Sequence, residues 1–181
     1  LGLKKEDVIR RINNERKNSD AVVGSVTKIL FYSTQNNIKH YLTAKEYASI
    51  ILPSTPSSLT RTLEDSFVFG LHIYQQNELY MILKTNYYQN AFAGMLSWEK
   101  DMLFDIGKVF FETPIAVENF GLYGFKDAVI ANMDSRVVRD PNTRKIIFLY
   151  SFINKETLVI ATNENTLREI AERLRTAKLL K

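Results

Sequence analysis

The chain contains no cysteine, only two histidines and a single tryptophan. Without cysteine it cannot form a disulfide framework, a thiolate zinc site or a thiol nucleophile. The two histidines, His40 and His72, fall in different predicted hairpins, so local sequence offers no metal-ligand cluster. We therefore expect neither a metal ion nor another cofactor. The lack of cysteine is compatible with either side of a membrane and assigns no compartment.

Glycine and proline are also scarce, with seven and four copies, and the glycines are scattered along the chain. Neither a Gly-x-Ser-x-Gly nucleophile elbow nor a Gly-x-x-x-x-Gly-Lys-Ser/Thr phosphate loop is present. The longest apolar run, 146–153, is far shorter than the roughly 20 residues that a membrane-spanning helix needs. The sequence thus predicts no membrane span and none of these catalytic or phosphate-binding motifs.

What is present has the usual composition of one globular domain, with 181 residues, of which 45% are hydrophobic and 24% charged. The formal net charge is +4, but residues 1–18 contribute +3 and residues 163–181 contribute +2. The body between them is therefore close to neutral. Because a neutral body cannot release many counterions from phosphates, we expect no nucleic-acid binding and keep it only as a weaker alternative.

The N-terminal segment has a thin helical stripe of apolar residues, including Val8 and Ile12, among many charges. We predict that residues 1–18 form a stalk or lead-in helix outside the core, whose removal leaves the melting temperature nearly unchanged. Residues 19–181 are predicted to form a single α+β domain.

Three segments have the pattern of a strand hairpin followed by a helix. Alternating residues predict these hairpins at 26–33 with 38–42, at 67–74 with 79–84, and at 146–153 with 157–161. Thr43, Thr85 and Thr162 end the hairpins and are expected to cap the helices, and Thr43-x-x-Glu46 has the form of a capping box. With a further strand at 128–139, the sequence predicts an α+β fold. We expect an antiparallel-rich sheet of about seven strands built from ββα units, in two layers, with helices mainly on one face.

The predicted helix 86–106 carries a broad apolar stripe at i+3 and i+4 steps, which we expect to face the core. The stripe comprises Tyr88, Ala91, Phe92, Met95, Leu96, Trp98, Met102 and Leu103.

The other face of the sheet is also apolar by period-2 alternation. Its predicted members are Val68, His72, Tyr74, Tyr80, Ile82, Ile147, Leu149 and Val159. Either the connection 107–125 covers this face, or part of it stays open around His72, Tyr74 and Tyr80 and receives a protein partner or a second copy of the domain.

Few residues suggest chemistry, and each has a structural alternative. His72 has the right side chain for acid-base work, but a partly exposed position on the sheet is the favoured interpretation. Asp101 and Asp105 share a helix face and are expected to form a solvated acidic surface.

Two polar segments are candidate anion contacts. Four cations, Arg136, Arg139, Arg144 and Lys145, are predicted around one hairpin tip, where a soluble charged turn is favoured over a phosphate contact. Residues 57–63 are expected to form a helical turn in preference to an anion site.

Three motifs carry a resemblance: 56–63 with Phe69-Gly70-x-His72, Ala91-Phe92-Ala93-Gly94-Met95-Leu96-x-Trp98-Glu99, and 157–164. From Val26 onwards the chain resembles uncharacterised membrane-anchored proteins of small-genome candidate-phylum bacteria. The resemblance implies a preceding membrane anchor and a location on the extracytoplasmic side of a bacterial membrane, and no activity. It singles out Arg61, His72, Trp98 and Glu99 as positions to test.

The expected function is therefore a non-enzymatic interaction or assembly module, tethered to the membrane only through a segment that precedes this chain. Its predicted binding residues are Arg61, His72, Tyr74, Tyr80, Trp98 and Glu99. The alternative is a hydrolase-type enzyme whose carboxylate and histidine residues come together from distant segments, which a polar pocket around His72 or Glu99 would favour.

Overall fold

The computed structural model describes residues 4–74, 76–111 and 123–179. Within these ranges, five helices and nine strands follow one another. They are α1 (Lys5–Asn18), β1 (Val26–Ile29), β2 (Tyr32–Gln35), β3 (Ile38–Tyr41), α2 (Ala44–Ile51), α3 (Ser57–Thr60), β4 (Leu63–Ile73), β5 (Asn77–Thr85), α4 (Tyr88–Phe110), β6 (Lys126–Ile130), β7 (Met133–Arg139), β8 (Ile146–Asn154), β9 (Thr157–Ala161) and α5 (Glu164–Leu179). None of the described helices has the length and apolar content needed to cross a bilayer.

Seven strands form one antiparallel sheet in the order β1-β4-β5-β9-β8-β7-β6, while β2 and β3 form a separate two-stranded hairpin. The predicted α+β fold with an antiparallel-rich sheet of seven strands is confirmed. The strand predicted at 26–33 divides instead into β1, which pairs with β4, and β2, which pairs with β3.

The first face of the sheet is covered by α1, α2, α3 and α4, so four of the five described helices lie on this side. Leu79, Met81 and Leu83 of β5 point to this face, and Leu158 and Ile160 of β9 join them. Five members of the predicted α4 stripe, Ala91, Met95, Trp98, Met102 and Leu103, are buried in this core. The helix therefore packs as its i+3 and i+4 spacing indicates.

The second face is covered by α5, whose stripe of Leu167, Ile170 and Ala171 joins Tyr80, Val159 and other second-face residues in one apolar cluster. This helix adds a third layer, which the two-layer prediction did not include. The predicted cover was the connection 107–125. Residues 112–122 lie outside the described residues, and the described Phe110, Phe111 and Phe125 pack with the first face.

Irregular pairing between β7 and β8 changes the face on which one predicted residue lies. Val138 pairs with Phe148 and Arg139 pairs with Ile146, so Ile147 is the extra residue of a bulge. Its position in a regular strand predicted that Ile147 lies on the second face. Because of the bulge, it packs with the first-face core instead.

The predicted strand 128–139 is two strands, β6 and β7, joined at Ala131 and Asn132. Both residues have positive φ, 49° and 59°, which is the backbone of a two-residue type I′ turn. Ala131 obscured this turn because alanine disfavours positive φ, although Asn132 is a residue type that tolerates it.

The helix α1 is docked on the domain and is not an external stalk. Val8 and Ile12 are buried in the first-face core. The guanidinium of Arg16 donates hydrogen bonds to the carbonyl oxygens of Asn77 (2.9 Å) and Phe110 (3.1 Å). The prediction that residues 1–18 stay outside the core is therefore wrong. Two apolar side chains one turn apart, together with the buried stem of Arg16, are enough to pack α1 against α4 and β5.

Only one of the three predicted threonine caps is present. Thr43 forms the complete capping box, with its hydroxyl accepting from the Glu46 amide at 3.2 Å and the Glu46 carboxylate accepting from the Thr43 amide at 2.8 Å. The amide of Thr166 donates instead to the side-chain oxygen of Asn163 at 2.9 Å, so Asn163 caps α5 in place of Thr162. The helix α4 begins after Tyr87, which provides no side-chain cap, and Thr85 lies two residues earlier.

We expect Ile12→Ala to lower the free energy of unfolding by about 2 to 4 kcal/mol, because it leaves a cavity in the first-face core. Asn14→Ala, at an exposed position of the same helix, should change stability by less than about 0.5 kcal/mol. Chemical denaturation measures both. Equal, small effects of the two substitutions would show that α1 does not pack on the domain.

The helix-start assignments predict that two of three polar residues stabilise a helix start and that the third does not. Thr43→Ala and Asn163→Ala should each destabilise the protein by about 0.5 to 2 kcal/mol, because each removes a capping acceptor. Thr85→Val should not destabilise it, since the Thr85 hydroxyl is buried without a hydrogen-bond partner among the described residues. Urea denaturation of the three variants would contradict the assignment if Thr85→Val cost as much as Thr43→Ala.

Candidate functional site

The six predicted site residues do not converge on one place. Arg61 is exposed at the end of α3, Trp98 is in the first-face core, and Glu99 lies between α4 and the sheet. The other three, His72, Tyr74 and Tyr80, belong to the second face or its edge.

Trp98 has a structural role as part of a buried hydrogen-bond cluster. Its indole N–H donates to Oδ2 of Asp105 at 2.9 Å. The backbone amide and hydroxyl of Ser54 donate to the same carboxylate at 2.9 and 3.1 Å. Asp105 therefore ties α4 to the loop that follows α2. The expected solvated face of Asp101 and Asp105 is wrong for Asp105, which is buried among these donors.

His72 and Tyr80 lie beneath α5. His72 is only 3% exposed, and its Nδ1 is 3.0 Å from the hydroxyl oxygen of Thr166 on α5. The Tyr80 hydroxyl donates to the carbonyl oxygen of Thr27 at 3.0 Å, with its ring over Gly70. A Cβ on Gly70 would meet that carbonyl oxygen at 1.9 Å, so the close approach of the Thr27 carbonyl and the Tyr80 ring to this position requires glycine.

The expected open binding face therefore does not exist at His72 or Tyr80. Tyr74, which stacks on the His72 ring, is the exposed member of the three. Burial lowers the pKa of His72, an effect that Arg173 strengthens and that the carboxylates of Glu169 and Glu78 oppose. Burial also raises the pKa of Tyr80 to about 12.

Glu99 is held in a network that joins α4 to two strands. Nε and Nη2 of Arg136, on β7, donate to its two carboxylate oxygens at 2.7 and 2.6 Å. The Tyr150 hydroxyl, on β8, donates to Oε1 at 2.7 Å. Only 14% of the Glu99 side chain is exposed, so this bidentate pair is better shielded from water than a surface ion pair. Burial, followed by the hydrogen bond to Glu99, raises the pKa of Tyr150.

Arg136 is thus withdrawn from the predicted cluster of cations at the β7–β8 tip. Its remaining terminal nitrogen donates to Asp127 at 2.8 Å. At the tip itself, the Asp140 carboxylate accepts from the amides of Asn142 and Thr143 at 3.0 and 2.7 Å, and these bonds lower its pKa. Three of the four predicted cations are left near the turn, which weakens the alternative of a phosphate contact.

An open groove of about 690 Å³ lies beside the Glu99 network. One wall consists of three aromatic rings in mutual contact, Tyr88, Phe92 and Phe152, with centroids 5.1 to 6.1 Å apart. Phe92 is 37% exposed, and Val129, which also lines the groove, is 70% exposed. The polar lining residues include Asp127, Asn132, Asp134, Arg136 and Arg175.

The groove has the features of a binding surface, with exposed apolar side chains beside charged ones. Among the described residues, no group of three or more histidines and carboxylates could hold a metal ion. His72 and Glu99 lie on opposite faces of the sheet, so the structure does not bring these two candidates together. A histidine–carboxylate contact does occur between His40 and Glu46, but it is exposed and its carboxylate serves the capping box.

The sequence pattern did not indicate that Phe152 and Arg136 contact α4, or that Val129 lines the same groove as that helix. One indication was available in the width of the predicted α4 stripe. Tyr88, Phe92 and Leu96 recur at i+4 along one edge of it, beside the inner row that fills the core, and Phe92 and Leu96 are exposed. A stripe wider than one buried face predicts a second contact surface along its edge.

The chain matches no family model, and no curated protein or solved structure is significantly similar to it.

The buried His72 predicts a loss of stability in mild acid. Because the pKa of His72 is lower in the folded state, the unfolded chain binds more protons than the folded chain in mild acid. The contribution of His72 to folding stability is therefore complete above about pH 6.5 and is lost as the pH falls through the folded-state pKa. Chemical denaturation at about pH 7.5 and about pH 5.5 measures the loss of stability between the two conditions. This loss should be smaller for His72→Gln than for the parent protein.

His40→Gln is the matched control, because His40 is the other histidine of the chain and is exposed. It should not show the reduced loss of stability in acid that is expected of His72→Gln. If His72→Gln and His40→Gln behaved alike, burial of His72 beneath α5 would be contradicted.

Proposed function

We propose that this domain is a non-enzymatic binding module that holds a short segment of a protein partner in the groove between α4 and strands β6 to β8. The observation that carries the proposal is the aromatic wall of Tyr88, Phe92 and Phe152, which stays partly exposed opposite Val129. Large apolar side chains on a single chain usually become buried, and those that remain exposed together mark contact surfaces.

A rigid support lies directly behind this wall. The network of Glu99, Arg136 and Tyr150 fixes α4 relative to β7 and β8, and these elements carry the aromatic residues. A surface that is already ordered loses less conformational entropy when a ligand binds. The network is therefore best explained as a scaffold for the groove, since Glu99 accepts three hydrogen bonds and Arg136 is bound on two sides by carboxylates.

Charge at the groove indicates the chemistry of the ligand. Asp127 and Asp134 are exposed among the lining residues, Arg136 is already paired with Glu99 and Asp127, and Arg175 is a further exposed cation of the lining. A partner segment with an apolar or aromatic side chain next to a lysine or arginine fits both features. The apolar side chain would lie against Phe92 and Val129, and the cation would meet Asp134.

The other expectations remain predictions. The extracytoplasmic location and the membrane tether depend on the resemblance alone. The prediction that the domain does not bind nucleic acid is supported by the pairing of Arg136 with Glu99 and Asp127, which leaves fewer available cations at the β7–β8 tip.

The groove can be tested with a library of random peptides displayed on phage and selected on the immobilised protein. Enriched peptides should combine an apolar or aromatic residue with a neighbouring lysine or arginine. In fluorescence anisotropy with a synthetic copy, Phe92→Ala and Val129→Glu should each weaken binding about tenfold or more. Asp134→Lys should weaken binding of the same peptide through charge repulsion.

Tyr74→Ala is the control, because it removes another exposed aromatic side chain outside the lining of the groove. It should leave the affinity unchanged. The proposal would be wrong if no peptide were enriched, or if the enriched peptides bound the three groove variants as tightly as the parent.

A further inference from the structure

A second surface, unrelated to the groove, is formed by the hairpin of β2 and β3 and the residues just before it. The hairpin belongs to a two-stranded sheet of its own and is paired to no strand of the main sheet among the described residues. Every residue of β3 is exposed. Four large apolar or aromatic side chains are exposed here, namely Leu30, Tyr32, Ile38 and Tyr41.

The strand register places these side chains on both faces of the hairpin. Tyr32 pairs with Tyr41 and Thr34 pairs with Lys39, so the two tyrosines and the lysine share one face. Their contact is direct, with the tyrosine rings 6.2 Å apart and the Lys39 ammonium 4.7 Å from the Tyr32 ring centre. Ile38, which is 71% exposed, alternates to the opposite face.

Charge in this part of the chain has one sign. Residues 21–45 contain three lysines, Lys28, Lys39 and Lys45, and no aspartate or glutamate. Three acids from other segments lie nearby. Glu15 lines one groove together with Arg11, Lys28 and Tyr32, Asp65 lies 3.9 Å from Lys45, and the carboxylate of Glu46 lies 3.2 Å from His40 while it caps α2. Lys28 and Lys39 are exposed beside the apolar side chains.

We infer that this hairpin contacts the headgroup region of an anionic lipid bilayer. Tyrosines beside lysines suit the membrane interface, where a ring meets acyl chains while its hydroxyl and a neighbouring ammonium stay among headgroups. Lysines near the surface of an anionic leaflet are attracted to it. A bilayer can contact Tyr32, Tyr41 and Ile38 together because all three are exposed, whereas a globular partner docked on one face of the hairpin would leave the other exposed.

The test is flotation of the whole chain with lipid vesicles. One set consists of phosphatidylcholine, and the other contains about one third phosphatidylglycerol. The protein should bind the anionic vesicles about tenfold or more strongly, and high salt should weaken that binding. Lys39→Glu should lower the partition coefficient about tenfold, and Ile38→Ser should lower it several-fold.

Matched controls lie elsewhere on the molecule. Val129→Ser removes an equally exposed aliphatic side chain from the groove, and Lys155→Glu reverses an exposed lysine at the β8–β9 turn. Both should bind vesicles like the parent, and thermal unfolding should be similar for all four variants because the substituted side chains are exposed.

Three results would overturn the inference. They are the absence of vesicle binding, equal binding to both vesicle types, and hairpin variants that bind like the parent. A parent that dimerises in free solution without binding vesicles, and becomes monomeric on Ile38→Ser, would assign the hairpin to a second copy of the chain instead.

Discussion

The fold depends on a sheet whose central strands are apolar on both sides. All five residues of β9 are buried, with Leu158 and Ile160 in the first-face cluster and Val159 and Ala161 in the second. Its neighbour β5 divides in the same way, with Met81 on one face and Tyr80 on the other. Because neither face can be left in water, helices must cover both, and α5 is therefore as necessary to the core as α4.

Covering both faces determines where the molecule can contact a partner. The middle of the sheet is inaccessible, so exposed apolar side chains lie outside it, among them those of the groove beside α4 and of the separate hairpin of β2 and β3. The groove is supported by polar bonds, since Glu99, Arg136 and Tyr150 connect α4 to β7 and β8 where the apolar core ends. The ion pair of Glu99 and Arg136 is shielded from water, and both carboxylate oxygens accept hydrogen bonds. It therefore fixes the geometry of the aromatic wall.

Sequence patterns predicted the elements whose geometry is local. The capping box at Thr43 and Glu46 and the hairpin of β8 and β9 follow from residue type and spacing alone. Features that depend on packing between distant elements were not predictable in this way. The thin stripe of Val8 and Ile12 gave no indication that α1 docks, and Ala131 concealed a turn because its backbone conformation is imposed by the strands around it.

The candidate site was the least predictable part. Glu99 was identified, but its partners Arg136 and Tyr150 are 37 and 51 positions away, and only strand pairing brings them together. The whole architecture depends on α5 covering the second face, and nuclear Overhauser effects between methyl groups measure this directly. We predict cross-peaks from Leu167 and Ile170 to Leu149 and Val159. Cross-peaks from the same α5 methyl groups to Leu158 and Ile160 instead would place α5 on the first face and contradict the account.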